Sequence, residues 1–214
     1  MDLFFHPFSS YSQKALMAFY EKNIEFNSMI LDGGEEITQK FNEIWPIGRF
    51  PILMDDGNFI FEATAIIEYL EVKFPQTTQL IPQDAFAAQE ARMWDRFFDN
   101  YVMSPMQHLV DTALGREADN HDRWVLALEK AYKIIDDRMK MRQWACGNDF
   151  TIADCAAAPS LLYADWAHQI SNEYPNLHAY RQRLLKRPSY ARAFDNARAF
   201  RNYFPLGAPT DRDL

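Results

Sequence analysis

The chain holds 214 residues, 48% of them hydrophobic and 24% charged, enough apolar material for packed cores and too much for a disordered chain. Its formal net charge of −8 is scattered along the sequence with no run of Lys or Arg, which argues against nucleic-acid partners. No apolar run approaches the roughly 20 residues of a membrane span, and two isolated cysteines, Cys146 and Cys155, lack the spacing of a disulfide framework or a zinc site.

Leu3-Phe4-Phe5 reads as a short buried strand ended by Pro7; no basic start and long apolar stretch of a signal peptide precedes it. With the sparse cysteines, this sets the expectation of a reducing cytoplasm. Ser12 to Lys22 is helical, with Ala15, Leu16 and Phe19 on one side. Glu25 to Leu31 reads as a strand stopped by Gly33-Gly34, and a helix or irregular segment follows. Residues 51–54 and 58–61 flank Asp55-Asp56-Gly57, a hairpin signal because such a turn needs positive φ. Ala63, Ile66, Ile67, Leu70 and Phe74 then recur at helical spacing. The order of elements predicts helices packed on a small mixed sheet over residues 1–76.

Residues 77–85, with Pro82 and polar filler, read as a linker, and residues 86–214 as an all-helical domain. Trp94, Phe97, Phe98, Tyr101 and Val102 form one apolar stripe; Trp124, Leu128, Ala131 and Ile135 form a second; Tyr190, Ala193, Phe194 and Ala197 a third. The helix opening at Thr151 is apolar around nearly its whole circumference and carries Pro159, the pattern of a central helix wrapped by others.

Four segments could carry chemistry or fix its frame. Pro7 to Lys14 spans a strand-to-helix junction, where unpaired N–H groups and the helix dipole stabilise a thiolate and a serine hydroxyl adds a directed hydrogen bond. The same serines would equally serve as helix caps. Pro46-Ile47-Gly48-Arg49-Phe50-Pro51 opens a strand with a proline. A cis Phe50–Pro51 bond would turn the Phe50 backbone toward an extended peptide ligand. Arg49 there is either a partner for a ligand carboxylate or a solvated loop cation. Glu62-Ala63 begins a helix whose N-terminus suits a carboxylate; Glu62 either takes a ligand ammonium or faces the helix dipole. Thr151-Ile152-Ala153-Asp154 reads as a structural capping box, with Phe150 positioned as a staple to Cys155.

Taken in this order, the four segments resemble the cytosolic glutathione transferase superfamily. The resemblance implies a thioredoxin-like N-terminal domain that binds glutathione as co-substrate, followed by an all-α domain completing a pocket for an apolar electrophile. It implies no metal, and a homodimer in which the first domain of one subunit meets the second of the other. Ser9 falls at the position of the thiol-activating hydroxyl in Ser-type members, with Ser10 as its neighbour and fallback. The backbone of Phe50, before Pro51, matches the position that pairs with the cysteinyl part of glutathione. Glu62 and Ala63 match the Glu-Ser pair that holds the γ-glutamyl end. Ala63 departs from that pair and removes a hydroxyl bond worth about 1 kcal/mol. Tyr-type and Cys-type members need Tyr at the first strand or Cys at Ser9–Ser12, and this chain has neither.

The predicted activity is conjugation of the glutathione thiolate. Phe8, Tyr11, Tyr101, Met106 and Trp166 are candidates to line the electrophile pocket, and each would serve equally in core packing. Two alternatives stand beside it. One is a non-catalytic binding module on the same fold. The other is an isomerase of the maleylacetoacetate type, since Ser9-Ser10 resembles the Ser-Ser-Cys region of the zeta class without its Cys.

Overall fold

The computed structural model describes residues 1–32, 34–118 and 120–212. The N-terminal domain runs β1 (Asp2–Phe5), α1 (Ser10–Lys22), β2 (Asn27–Ile30), α2 (Glu35–Ile44), β3 (Ile52–Asp55), β4 (Asn58–Phe61) and α3 (Ala63–Lys73). Its four strands lie in the order β2-β1-β3-β4, with β1 parallel to β2 and the other two pairings antiparallel. β1 is therefore covered on both faces, and its run of Leu3, Phe4 and Phe5 is continuously buried. Leu3 and Phe5 face α1, α3 and the helical domain, while Phe4 packs with Phe41 of α2 and Ile52 of β3 on the opposite side. The hairpin turn falls at Asp56 and Gly57, both at positive φ (48° and 79°), as the sequence required. The segment left open between helix and irregular structure is α2. Gly34 is its N-cap, and Gly33, the other half of the expected stop signal, lies outside the described residues.

No helix or strand occurs between Lys73 and Ala85. The helical domain then comprises α4 (Ala85–Phe97), a π-helix (Phe98–Met103), α5 (Ser104–Ala113), α6 (His121–Met139), α7 (Ile152–Ala167), α8 (Pro175–Leu185), α9 (Pro188–Ala197) and a 3-10 turn (Arg198–Tyr203). Asp84 caps α4 by accepting from the Ala87 amide at 2.8 Å. Every residue of α7 from Ile152 to Trp166 is buried, and α1, α4, the π-helix, α5 and α8 all pack on it. Pro159 is accommodated inside this continuous helix, and the neighbouring Ser160 hydroxyl donates back to the Ala156 carbonyl at 2.6 Å. No helix among the described residues is long and apolar enough to cross a membrane.

The π-helix alters the reading of the first apolar stripe. An α-helix keeps Trp94, Phe98 and Tyr101 on one side, but the wider i→i+5 turn rotates the chain after Phe98. Val102, Met103 and Met106 become the inward residues, and Tyr101 is left 60% exposed, its ring centroid 5.3 Å from that of Phe97.

The capping box at the start of α7 extends beyond the box itself. The Asp154 carboxylate is fully buried and accepts from the amides of Thr151 (2.9 Å) and Ala145 (2.8 Å) and from the Tyr180 hydroxyl (2.6 Å). It ties α7 to the preceding loop and to α8. Asp154→Ala should cost about 3 kcal/mol or more, because three buried donors lose their acceptor together. Asp154→Asn, which keeps one carbonyl oxygen, should cost less; thermal or urea unfolding of the two variants measures the difference.

Candidate functional site

The loop from β1 to α1 is held from four directions. The Ser9 amide donates to the His6 carbonyl at 3.0 Å, and the Phe8 amide donates to His6 Nδ1 at 3.1 Å. Burial lowers the His6 pKa, which favours the neutral ring that this contact needs. The Gln13 side-chain amide donates to the Pro7 carbonyl (3.0 Å) and to the Tyr163 hydroxyl (2.8 Å), and that hydroxyl donates in turn to the Phe8 carbonyl (2.8 Å). Tyr190 donates to Gln13 Oε1 at 3.3 Å. Helices α7 and α9 thus fix a turn whose own residues are too few to fix it.

Ser9 is the N-cap of α1, its Oγ accepting from the Ser12 amide at 3.3 Å. Capping engages the oxygen as acceptor and leaves the hydroxyl proton free to donate, so the two roles anticipated for this serine are compatible. Ser10, the next residue, is 6% exposed.

Two cavities meet beside this turn. The first, about 190 Å³, is lined by Tyr11, Trp45, Arg49, Phe50, Pro51, Glu62 and Ala63. The Phe50–Pro51 bond is cis. Trp45 stacks on Phe61 with ring centroids 3.9 Å apart and forms one wall. Glu62, at φ 69° and ψ 130°, is the N-cap of α3; a non-glycine residue in this region is strained, and such strain collects at ligand sites. It delivers the first amides of α3, which have no intrahelical partner, to the cavity edge.

The second cavity, about 550 Å³, opens beyond Tyr11, Arg49 and Phe50, which line both. Ser9, Ser10 and Phe8 border it from the N-terminal domain; Met103, Met106, Val110, Tyr163 and Phe204 supply most of its apolar wall from the helical domain. Of the residues expected to line an electrophile pocket, Phe8, Tyr11 and Met106 do so. Trp166 and Tyr101 do not. Trp166 is buried behind the wall, its ring against Tyr163 and Phe204 (both 5.3 Å), and Tyr101 is turned outward by the π-helix.

An ionic cluster that the sequence did not disclose underlies both cavities. Lys14 Nζ lies 2.7 Å from Asp95 and 2.6 Å from Asp99, and donates to Thr64 Oγ1 at 2.8 Å; Thr64 donates to Asp95 at 2.8 Å. Burial opposes the Lys14 charge, but the two carboxylates outweigh it and hold its pKa above the usual value. Burial, with Asp95 nearby, pushes Asp99 up against the pull of Lys14. Thr64 follows Ala63 directly, so its hydroxyl is committed to this cluster and does not replace the serine hydroxyl missing at 63. Gln13 and Lys14 adjoin the apolar Ala15 and Leu16 in α1, a helix that also carries Ser10, Ser12, Glu21 and Lys22, so composition alone does not mark them. Apart from the Pro7 carbonyl, their side-chain partners lie at least 50 residues away in sequence, beyond any local pattern.

The comparisons with known proteins agree with this arrangement. Residues 3–78 match the family model of the glutathione S-transferase N-terminal domain, and residues 101–188 that of the C-terminal domain. Glutathione S-transferase GstA of Escherichia coli O157:H7 is 30% identical over 150 residues, covering 67% of this chain and 71% of that protein. The glutathione S-transferase-like protein LUC7 of Fusarium is 31% identical over 131 residues, 59% of this chain, and the match spans only 60% of that relative's length. Among solved structures, a delta-class glutathione transferase of Nilaparvata lugens superposes with a TM-score of 0.82 over 95% of this chain and 97% of that one, at 21% identity. The chain belongs to the glutathione S-transferase family.

Tyr11, on the boundary of the two cavities, has its pKa pushed up to about 12 by burial and by the nearby charges of Asp99 and Glu62, against Arg49. The folded protein holds this phenolic proton more tightly than the unfolded chain, where a tyrosine ionises near pH ~10. Stability therefore falls as pH rises through that interval. Tyr11→Phe should lose less stability than wild type between pH ~10 and 12 in alkaline unfolding curves.

Proposed function

We propose that this protein is a glutathione transferase in which the Ser9 hydroxyl donates to the glutathione sulfur and stabilises the thiolate for attack on an apolar electrophile. The observation that carries this reading is the pair of cavities sharing Tyr11, Arg49 and Phe50, with Ser9 at the border of the larger one. The smaller cavity suits the tripeptide. Its γ-glutamyl end meets Glu62 and the α3 amides, its cysteinyl backbone pairs with Phe50, and Arg49 receives a carboxylate. The thiol proton leaves to solvent. The sulfur electron pair then forms a bond to the electrophilic carbon, and a leaving group departs with its own pair, or the pair shifts onto a conjugated carbonyl. Holding both partners in adjoining cavities makes the encounter effectively unimolecular.

The serine hydroxyl and the α1 N-terminus together lower the thiol pKa by about 2 units from ~8.5, or ~2.7 kcal/mol of differential stabilisation. Ser9→Ala should raise the pKa of bound glutathione, read from thiolate absorbance against pH. At pH ~6.5 it should lower kcat/KM for 1-chloro-2,4-dinitrobenzene by up to about 50-fold, the limit in which the hydroxyl supplies the whole shift, while glutathione affinity changes less than about threefold. Failure of the wild-type protein to bind glutathione would instead favour a binding module on the same fold. Binding with no effect of Ser9→Ala would move the thiol-activating role to Ser10.

The functional unit is a homodimer. Support comes from large apolar side chains left in solvent on neighbouring elements of both domains: Phe59 on β4, Val72 on α3, Phe86 and Met93 on α4, and Tyr101 on the π-helix. Phe86 is 85% and Val72 81% exposed, an unfavourable arrangement for a monomer. Size-exclusion chromatography with light scattering should give twice the chain mass. Phe86→Glu should shift it to the monomer, and a monomeric wild type would refute the dimer.

A further inference from the structure

The lining of the larger cavity includes a charged group that thiolate activation does not use. Helix α5 ends in a Schellman motif. The amide of Gly115, at φ 67°, donates to the Thr112 carbonyl at 3.0 Å, and the amide of Arg116 donates to the Asp111 carbonyl at 2.9 Å. That double closure fixes the backbone of Arg116 directly beside Asp111, so an exposed arginine projects from a rigid base at the cavity rim. Its Nη1 lies 3.4 Å from the Asp111 carboxylate, a long contact, and no other partner of its guanidinium occurs among the described residues. The remaining N–H groups of the fork are free for a planar anion.

The surroundings define what such an anion would be attached to. The apolar part of the wall comprises Phe8, Met103, Met106, Val110, Tyr163 and Phe204, with Gln107 as a neutral polar residue. Arg49, the other arginine, lies where the two cavities join and is taken up by glutathione in the proposed reaction. The lining therefore holds two arginines against one aspartate in a chain whose net charge is −8. A wholly apolar substrate would leave Arg116 without a role; an apolar body with a carboxylate at the end remote from the reacting carbon would meet every feature of the cavity.

We propose that the electrophile is an amphiphile of this class, an apolar or aromatic body bearing a carboxylate that Arg116 receives at the cavity rim. The proposal rests on the transferase reading and names the substrate class of that same site. Asp111 acts as the competing anion: it holds Arg116 in place when the cavity is empty and weakens the attraction for a second carboxylate.

The test compares 4-(chloromethyl)benzoate with its methyl ester in steady-state conjugation by the full chain, with 1-chloro-2,4-dinitrobenzene as an uncharged control. The acid should be preferred over the ester by about fivefold in kcat/KM, the worth of one exposed charge-assisted contact, and the preference should shrink with added salt. Arg116→Ala should abolish the preference by raising KM for the acid while leaving the ester and the control unchanged. Asp111→Asn should enlarge it. Equal or better use of the ester by wild type, an equal loss on both substrates in Arg116→Ala, or turnover of the control with neither benzyl chloride accepted would each overturn the proposal. Absence of turnover of the control as well would bring down the transferase reading on which it stands.

Discussion

Lys14 is enclosed, 1% exposed, with its ammonium between Asp95 and Asp99 and bonded to Thr64. One cation thus joins the first helix of the N-terminal domain, the start of α3, and the long helical segment from α4 into the π-helix. Charges so far from water are stable only in near-complete pairing, and loss of one partner from such a group costs about 3–5 kcal/mol. The consequence is geometric as well as energetic. Thr64 can satisfy Lys14 and Asp95 together only if the N-terminus of α3 sits at one distance from α4. That distance sets where Glu62, Ala63 and their amides stand relative to Tyr11. An apolar contact would tolerate sliding; this cluster does not.

A second polar network does the same for the turn between β1 and α1. Gln13 is fully buried and spends both ends of its amide, as donor to Pro7 and Tyr163 and as acceptor from Tyr190. The turn that carries Ser9 is therefore registered against helices α7 and α9. Between these two networks lies a continuous apolar core running from Leu3 and Leu53 of the sheet to Leu161 and Trp166 of α7. The domains share a core, and the cavities lie along the seam that the two polar networks hold in register.

Much of this was legible in the sequence, for identifiable physical reasons. β1 could be read because a strand buried on both faces is an unbroken apolar run, the hairpin because Asp56-Gly57 demands positive φ, and α7 because a central helix is apolar all round. The capping box was readable because its partners are three residues apart. What escaped was of another kind. The burial of Lys14 and Gln13 depends on residues far along the chain, so local pattern showed only two polar residues in a helix. Tyr101 was misplaced because helical periodicity assumes 3.6 residues per turn, and one wider turn after Phe98 was enough to face it outward. Trp166 was open between pocket and core, and the rings of Tyr163 and Phe204 that separate it from the cavity come from packing that no local pattern displays.

The two cavities draw on different stretches of chain. The first is built wholly from residues between Tyr11 and Ala63, whereas the second depends on α5 and on Phe204 and Pro205 beyond the last helix. Apart from the border that Phe8 to Tyr11 and Gly48 to Phe50 give to the second cavity, the two are genetically separable. Exchange of the helical half between related chains would transplant a new second cavity onto an unchanged first one. Substitutions accumulating near residue 204 would alter what is accepted without altering what is activated. Such a division lets one half of a gene diversify under selection while the other stays constant, on condition that Lys14 still finds its two carboxylates.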